Sequence, residues 1–178
     1  MSALFSHASD SMKWRTITLS TLAFWVSGSL VLDFIVMPGL YAVGMMQEPN
    51  FAIAGHSLFG IFNHIELLCA SVVLTGVLVL WQSPHPSMIT RRMMAIAAIL
   101  FAIPMLYTYL FTPMMTQLGV NLDWFAGAQD VPQQMTQMHG AYFGLELIKL
   151  VLGGVLLGAL YGDRLADLKG DRPSELVH

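Results

Sequence analysis

The chain has 178 residues, 56% of them hydrophobic and only 11% charged, with a mean hydropathy of +0.64. Soluble domains carry about 25% charged residues, so this deficit excludes an ordinary water-soluble domain and indicates an integral membrane protein. The net charge of −3 offers no basic surface to nucleic acid, and a single cysteine, Cys69, excludes an intrachain disulfide and a cysteine zinc cluster.

Residues 1–15 form a short polar segment ending in Lys13 and Arg15. The apolar run that follows, Ile17 to Val43, is too long for the core of a cleaved signal peptide. It suffices for a membrane span, which needs about 20 residues. Asp33 is its one charge, and Pro38-Gly39 is placed to kink or end it. A second helix is predicted from Ala52 to Trp81, and it holds the stretch GHSLFGIFNHIELLCA with His56, Asn63, His64 and Glu66. Pro84 and Pro86 stop it. A third helix runs from Met93 to Met115 and contains Pro104 and Pro113. The longest connection, Thr116 to Gln134, carries Trp124-Phe125 as an interfacial anchor. The fourth helix runs from Met135 to Tyr161, and a charged tail, 162–178, closes the chain with a frayed end. The expected fold class is all-α: an integral membrane four-helix bundle over residues 16–161, up-down-up-down. No internal repeat is evident.

Lys13, Arg15, Arg91, Arg92, Arg164, Lys169 and Arg172 all fall on one side of that topology, and the opposite connections contain no Lys or Arg. The positive-inside rule puts both termini in the cytoplasm.

Ionisable residues inside a bilayer face a partner or a cavity by default. At about 1.5 Å per residue, His56 and His139 lie near the outer surface and His64 and Glu146 lie deeper. Glu66 and Lys149 come near the middle, and Asp33 lies in the outer half. With Asn63, these are the candidate ligand-binding residues. His56 and Asn63 share a helix face, as do His139 and Glu146, whereas His64 and Glu66 diverge. Three carboxylates stand against one lysine, and isolated charges in low dielectric are costly. Lys149 pairs with Glu66 by depth or with Glu146 at i,i+3. Loss of one member of a buried pair is destabilising, so Lys149→Met is expected to lower stability more than Arg164→Met. Gly140-x3-Gly144 and Gly154-x3-Gly158 are small-xxx-small patterns that admit a closely packed helix, from this chain or another.

Several chemistries follow from these residues. Neutral imidazoles on facing helices, His64 with His139 or His56 with His139, would hold haem or a metal ion. Met45-Met46, Met114-Met115 and Met135-x2-Met138-His139 would suit Cu(I), although Met93-Met94 lies on the other side. A di-iron site would need Glu-x2-His repeats, which are absent. A proton relay finds no polar chain through the inner half. No nucleophile elbow, P-loop or dinucleotide fingerprint is present. The leading expectation is a non-enzymatic membrane protein that binds a partner or small ligand in its extracytoplasmic half, in membrane-complex assembly or stress tolerance. Its partners would be the lipid bilayer and another membrane protein or a second copy of the chain. A haem- or metal-binding redox or transport protein is the alternative.

Gly28-x4-Asp33-Phe34-x3-Pro38-Gly39-Leu40-Tyr41 resembles the first-helix signature of the cisplatin-resistance-associated four-helix transmembrane family. Met138-His139-Gly140 is similar to that family's final-helix step. The resemblance spans about Thr16 to Tyr161. It implies a four-pass domain without established enzyme activity, associated with metal-drug tolerance. It carries over to Gly28, Pro38, His139 and Gly140 only.

Overall fold

The computed structural model describes the backbone of residues 2–45, 51–82, 91–117 and 133–170, and side chains within 12–45, 54–82, 91–117 and 137–162. Four helices are long and apolar enough to cross a membrane: Met12–Ala42, Ala54–Trp81, Arg91–Gln117 and Gln137–Gly162. No strand occurs among the described residues. The fold is the expected all-α four-helix bundle, and its spans agree with the apolar runs to within a few residues. The ends differ. The first helix begins at Ser2, well inside the polar leader, and the fourth continues to Gly170, into the charged tail. Helix termini expose unsatisfied backbone groups, so extending both helices places those groups beyond the apolar spans.

Each helix packs on its neighbours in chain order, and the fourth returns to the first. The first and third helices are diagonal, as are the second and fourth. The outward faces carry large apolar side chains such as Phe24, Ile35, Leu68 and Val151, each about two-thirds exposed. Such a surface needs an apolar solvent, and a lipid bilayer supplies it.

The interior divides into two halves. The half nearer the chain termini is apolar, with Leu22, Val73, Val77, Leu100, Leu156 and Leu160 almost completely buried. Apart from Thr18, which lies against Gly76 in the first half, the buried polar residues Ser29, Asn63, Glu66, Glu146 and Lys149 are in the other half. Here the first and third helices both loosen into π-helical turns, Leu32–Val36 and Tyr107–Phe111. Each turn ends on a residue whose N–H reaches back to the first carbonyl of the turn: Met37 to Leu32, and Thr112 to Tyr107. A proline follows at once, Pro38 or Pro113. Proline has no N–H to donate and crowds the preceding turn, so the ladder slips by one residue there. The kink expected at Pro38-Gly39 is therefore a widened turn, and the helix runs on to Ala42. π-turns of this kind concentrate at functional sites.

Close helix contact occurs at Gly76 and Gly153. A Cβ added to Gly76 would fall 1.9 Å from Thr18 Oγ1, and one added to Gly153 would fall 2.8 Å from Val26 Cγ2. The small-xxx-small stripe behaves differently. At Gly140, Gly144, Gly154 and Gly158 an added Cβ meets nothing within 4 Å among the described residues. Gly153 and Gly154 are neighbours, but each residue turns about 100° around a helix, so the first faces the bundle and the second faces away. Within the chain the stripe makes no close helix contact among the described residues.

Candidate functional site

The polar half is built around Glu66. Its Oε1 accepts from Trp25 Nε1 at 3.0 Å and from Ser29 Oγ at 2.9 Å, both on the first helix, and from Lys149 Nζ on the fourth. Lys149 also pairs with Glu146 Oε1 at 2.5 Å. Both pairings read from the sequence are thus present, with the ammonium between two carboxylates. Glu66, Glu146 and Lys149 are all almost completely buried. Lys149 Nζ further lies 5.7 Å from the centroid of the Tyr107 ring, whose negative face favours a cation. The space beneath Lys149, lined by Leu22, Trp25, Leu100 and Gly153, is too small for water.

Asp33 enters from the π-turn of the first helix. It is half-buried and its carboxyl adjoins that of Glu146. Asp33 Oδ2 and Glu66 Oε2 are buried and have no hydrogen-bond partner among the described residues. Buried polar atoms are rarely left so.

A second network extends toward the end of the bundle. Tyr142 donates its hydroxyl to Asn63 Oδ1 at 3.1 Å, and Asn63 Nδ2 donates to Thr112 Oγ1 at 2.9 Å. Tyr107 stacks on Tyr142 with ring centroids 4.1 Å apart and donates to the Tyr142 carbonyl at 3.2 Å. Beyond it, His56 Nδ1 meets Thr116 Oγ1 at 2.7 Å. Second and fourth helices are diagonal, so the Glu66–Lys149 and Asn63–Tyr142 contacts cross the centre. All four helices contribute to one connected cluster.

The sequence-derived residues therefore separate. Asp33, Asn63, Glu66, Glu146 and Lys149 converge. His56 lies at the margin and is exposed. His64 is exposed on the outward face of the second helix, hydrogen-bonded to the Gly60 carbonyl of its own helix at 2.6 Å. It shares with His56 an open groove of about 740 Å³ on that outer surface. His139 is exposed near the start of the fourth span. The facing-imidazole geometry expected of His64 and His139 is not formed, because His64 turns away from the diagonal fourth helix. Among the described residues no group of three or more His, Cys, Asp or Glu side chains is arranged to hold a metal ion. Of the methionine pairs, Met46 and Met135 lie outside the residues whose side chains are described, and so do Trp124 and Phe125.

Trp25, Ser29, Tyr107, Thr112 and Tyr142 were not among the expected site residues. One signal was available: Trp25, Ser29 and Asp33 recur every fourth residue, which places them on one helix face. Comparison with family models, with curated proteins and with solved structures finds no match to this chain.

Proposed function

We propose that this chain is a non-enzymatic integral membrane protein, with both termini cytoplasmic, that binds a small ligand or a partner's polar group in its extracytoplasmic half. The site is the cluster of Asp33, Glu66, Glu146 and Lys149. One observation carries the reading. Two carboxyl groups pair with a single ammonium, a third, Asp33, adjoins one of them, and the buried atoms Asp33 Oδ2 and Glu66 Oε2 have no hydrogen-bond partner among the described residues. Unpaired carboxylate in low dielectric is costly, so a cationic or hydrogen-bond-donating group would complete the set, and half-buried Asp33 is its point of access. The positive-inside distribution of Lys and Arg supports the orientation. The resemblance to the cisplatin-resistance-associated family supports a role in stress tolerance or in a membrane complex.

Purification in mild detergent, with native mass spectrometry, an absorption spectrum and metal analysis, tests this. The expected result is a colourless protein carrying a bound species or a co-purifying membrane protein that is lost in Asp33→Asn/Glu146→Gln. Bound species and partners unchanged in the double variant would sink the proposal. A Soret band or stoichiometric metal lost in His64→Ala or His139→Ala would establish the haem or metal reading instead.

A further inference from the structure

We infer that the chain is one helical hairpin used twice, and that the polar cluster lies on the two-fold axis relating the copies. The first mark is the π-turns. Tyr107–Phe111 repeats Leu32–Val36 at an offset of 75 residues (32 to 107), and Pro113 repeats Pro38 at the same offset. Burial follows that register along most of the helix. Thr18 and Met93 are both buried, and so are Leu22 and Ala97, Trp25 and Leu100, and Ser29 and Pro104. The exposed residues between them match too, as at Phe24 and Ile99 or Phe34 and Tyr109.

The second and fourth helices repeat at an offset of 83, the separation of Glu66 and Lys149. Asn63 then matches Glu146, Ala70 matches Gly153, Val73 matches Leu156 and Val77 matches Leu160, all buried. At the same offset His56 falls on His139, Ile65 on Ile148 and Leu67 on Leu150. The two offsets differ only because the connection between the third and fourth helices is longer. The ring of neighbours obeys the same rule, since exchanging the hairpins carries each helix onto its diagonal mate.

Contact geometry fixes the axis. A residue touches its own counterpart only on a two-fold axis. Glu66 and Lys149 are counterparts and form an ion pair. Phe59 and Tyr142 are counterparts and pack edge to face, 5.9 Å between centroids. Both pairs lie on the second and fourth helices, seven residues apart, so they stand above one another along the axis. The repeat is faint in the sequence because identities are sparse: beyond matches such as His56 with His139 and Ile65 with Ile148, most paired positions hold different residues. Around the cluster the copies have diverged: Glu66 against Lys149, Asn63 against Glu146, Asp33 against Thr108, Trp25 against Leu100. The site is thus one-sided on a two-sided scaffold. Trp25 and Ser29 are positioning residues that fix the carboxylate at position 66, because the matching Leu100 and Pro104 give position 149 no donor.

Exchange of charge between the counterparts tests this without any ligand, so its failure is separable from failure of the binding proposal. Glu66→Lys and Lys149→Glu each place like charges on the axis, and each is expected to lower the melting temperature in detergent. The exchange Glu66→Lys/Lys149→Glu recovers part of the loss. Adding Trp25→Leu and Leu100→Trp recovers more, since the indole introduced at position 100 then donates to the carboxylate introduced at position 149. If Leu100→Trp harms the exchanged protein as much as the wild type, the equivalence is overturned. A second measurement in membranes does not depend on those variants folding. In a Cys69→Ala background, Val26→Cys/Gly153→Cys and its counterpart pair Phe101→Cys/Ala70→Cys are both expected to cross-link. Cross-linking of the first pair alone would also overturn the duplication.

Discussion

Lys149→Met is expected to destabilise the bundle in detergent by about 3–5 kcal/mol, the usual cost of removing one partner from a buried ion pair. Among the described residues Lys149 is the one cation beside Glu66 and Glu146, and it is 3% exposed. Its removal strands two almost completely buried carboxylates. Arg91→Met, at an exposed helix start, should change stability by no more than about 0.5 kcal/mol. Thermal denaturation of both variants against wild type decides the matter, and equal melting temperatures would show that the Lys149 pairs contribute nothing. Adding Glu66→Gln and Glu146→Gln to Lys149→Met should restore part of the loss, since no uncompensated charge is then left buried.

The second large effect belongs to Gly76. Gly76→Leu inserts a side chain where Thr18 Oγ1 already stands, with Thr18 Cβ 3.1 Å from the position of the new Cβ. The threonine is held in place by its own hydrogen bond to the Trp14 carbonyl at 2.8 Å. Overpacking of a tight contact costs about 1–3 kcal/mol and sometimes more, and the first and second helices cannot separate without exposing the apolar half. Gly154→Leu and Gly158→Leu meet open space and should leave the melting temperature of the isolated chain unchanged. If Gly158→Leu proved as damaging as Gly76→Leu, the outward placement of the stripe would be wrong. Combining Gly76→Ala with Thr18→Ala should relieve most of the strain of Gly76→Ala alone.

The four spans were legible because uninterrupted apolar length is the strongest signal a membrane chain carries. Depth and helical face grouped Asp33, Asn63, Glu66, Glu146 and Lys149 with His56, His64 and His139, and did not separate these five from the exposed histidines. Face did show that His64 and Glu66 diverge, two residues apart on opposite sides, and the structure sends the histidine outward. The partners of Lys149 could not be chosen from sequence, since depth favoured Glu66 and spacing favoured Glu146, and the lysine reaches both. The glycine stripe did not say which neighbour it faces, because small size says only that a helix of this chain or another could approach. Gly76 and Gly153, which belong to no stripe, are where neighbours do approach. Trp25 and Tyr107 escaped notice because aromatic residues in a membrane chain read first as apolar filler. Their hydrogen-bonding edges gain meaning only once a buried carboxylate and an ammonium are opposite them.

The two widened turns have a consequence for how the chain tolerates changes in length. A π-turn uses one residue more than the α-helical turn it replaces. Deleting one residue within Leu32–Val36 or Tyr107–Phe111 returns that turn to α-helical spacing and leaves everything on its inner side in register. The same deletion elsewhere in a span rotates every later side chain of that helix by about 100° and turns its lipid-facing row toward the core. Length variation within the spans should therefore be confined to these two places, each just before its proline.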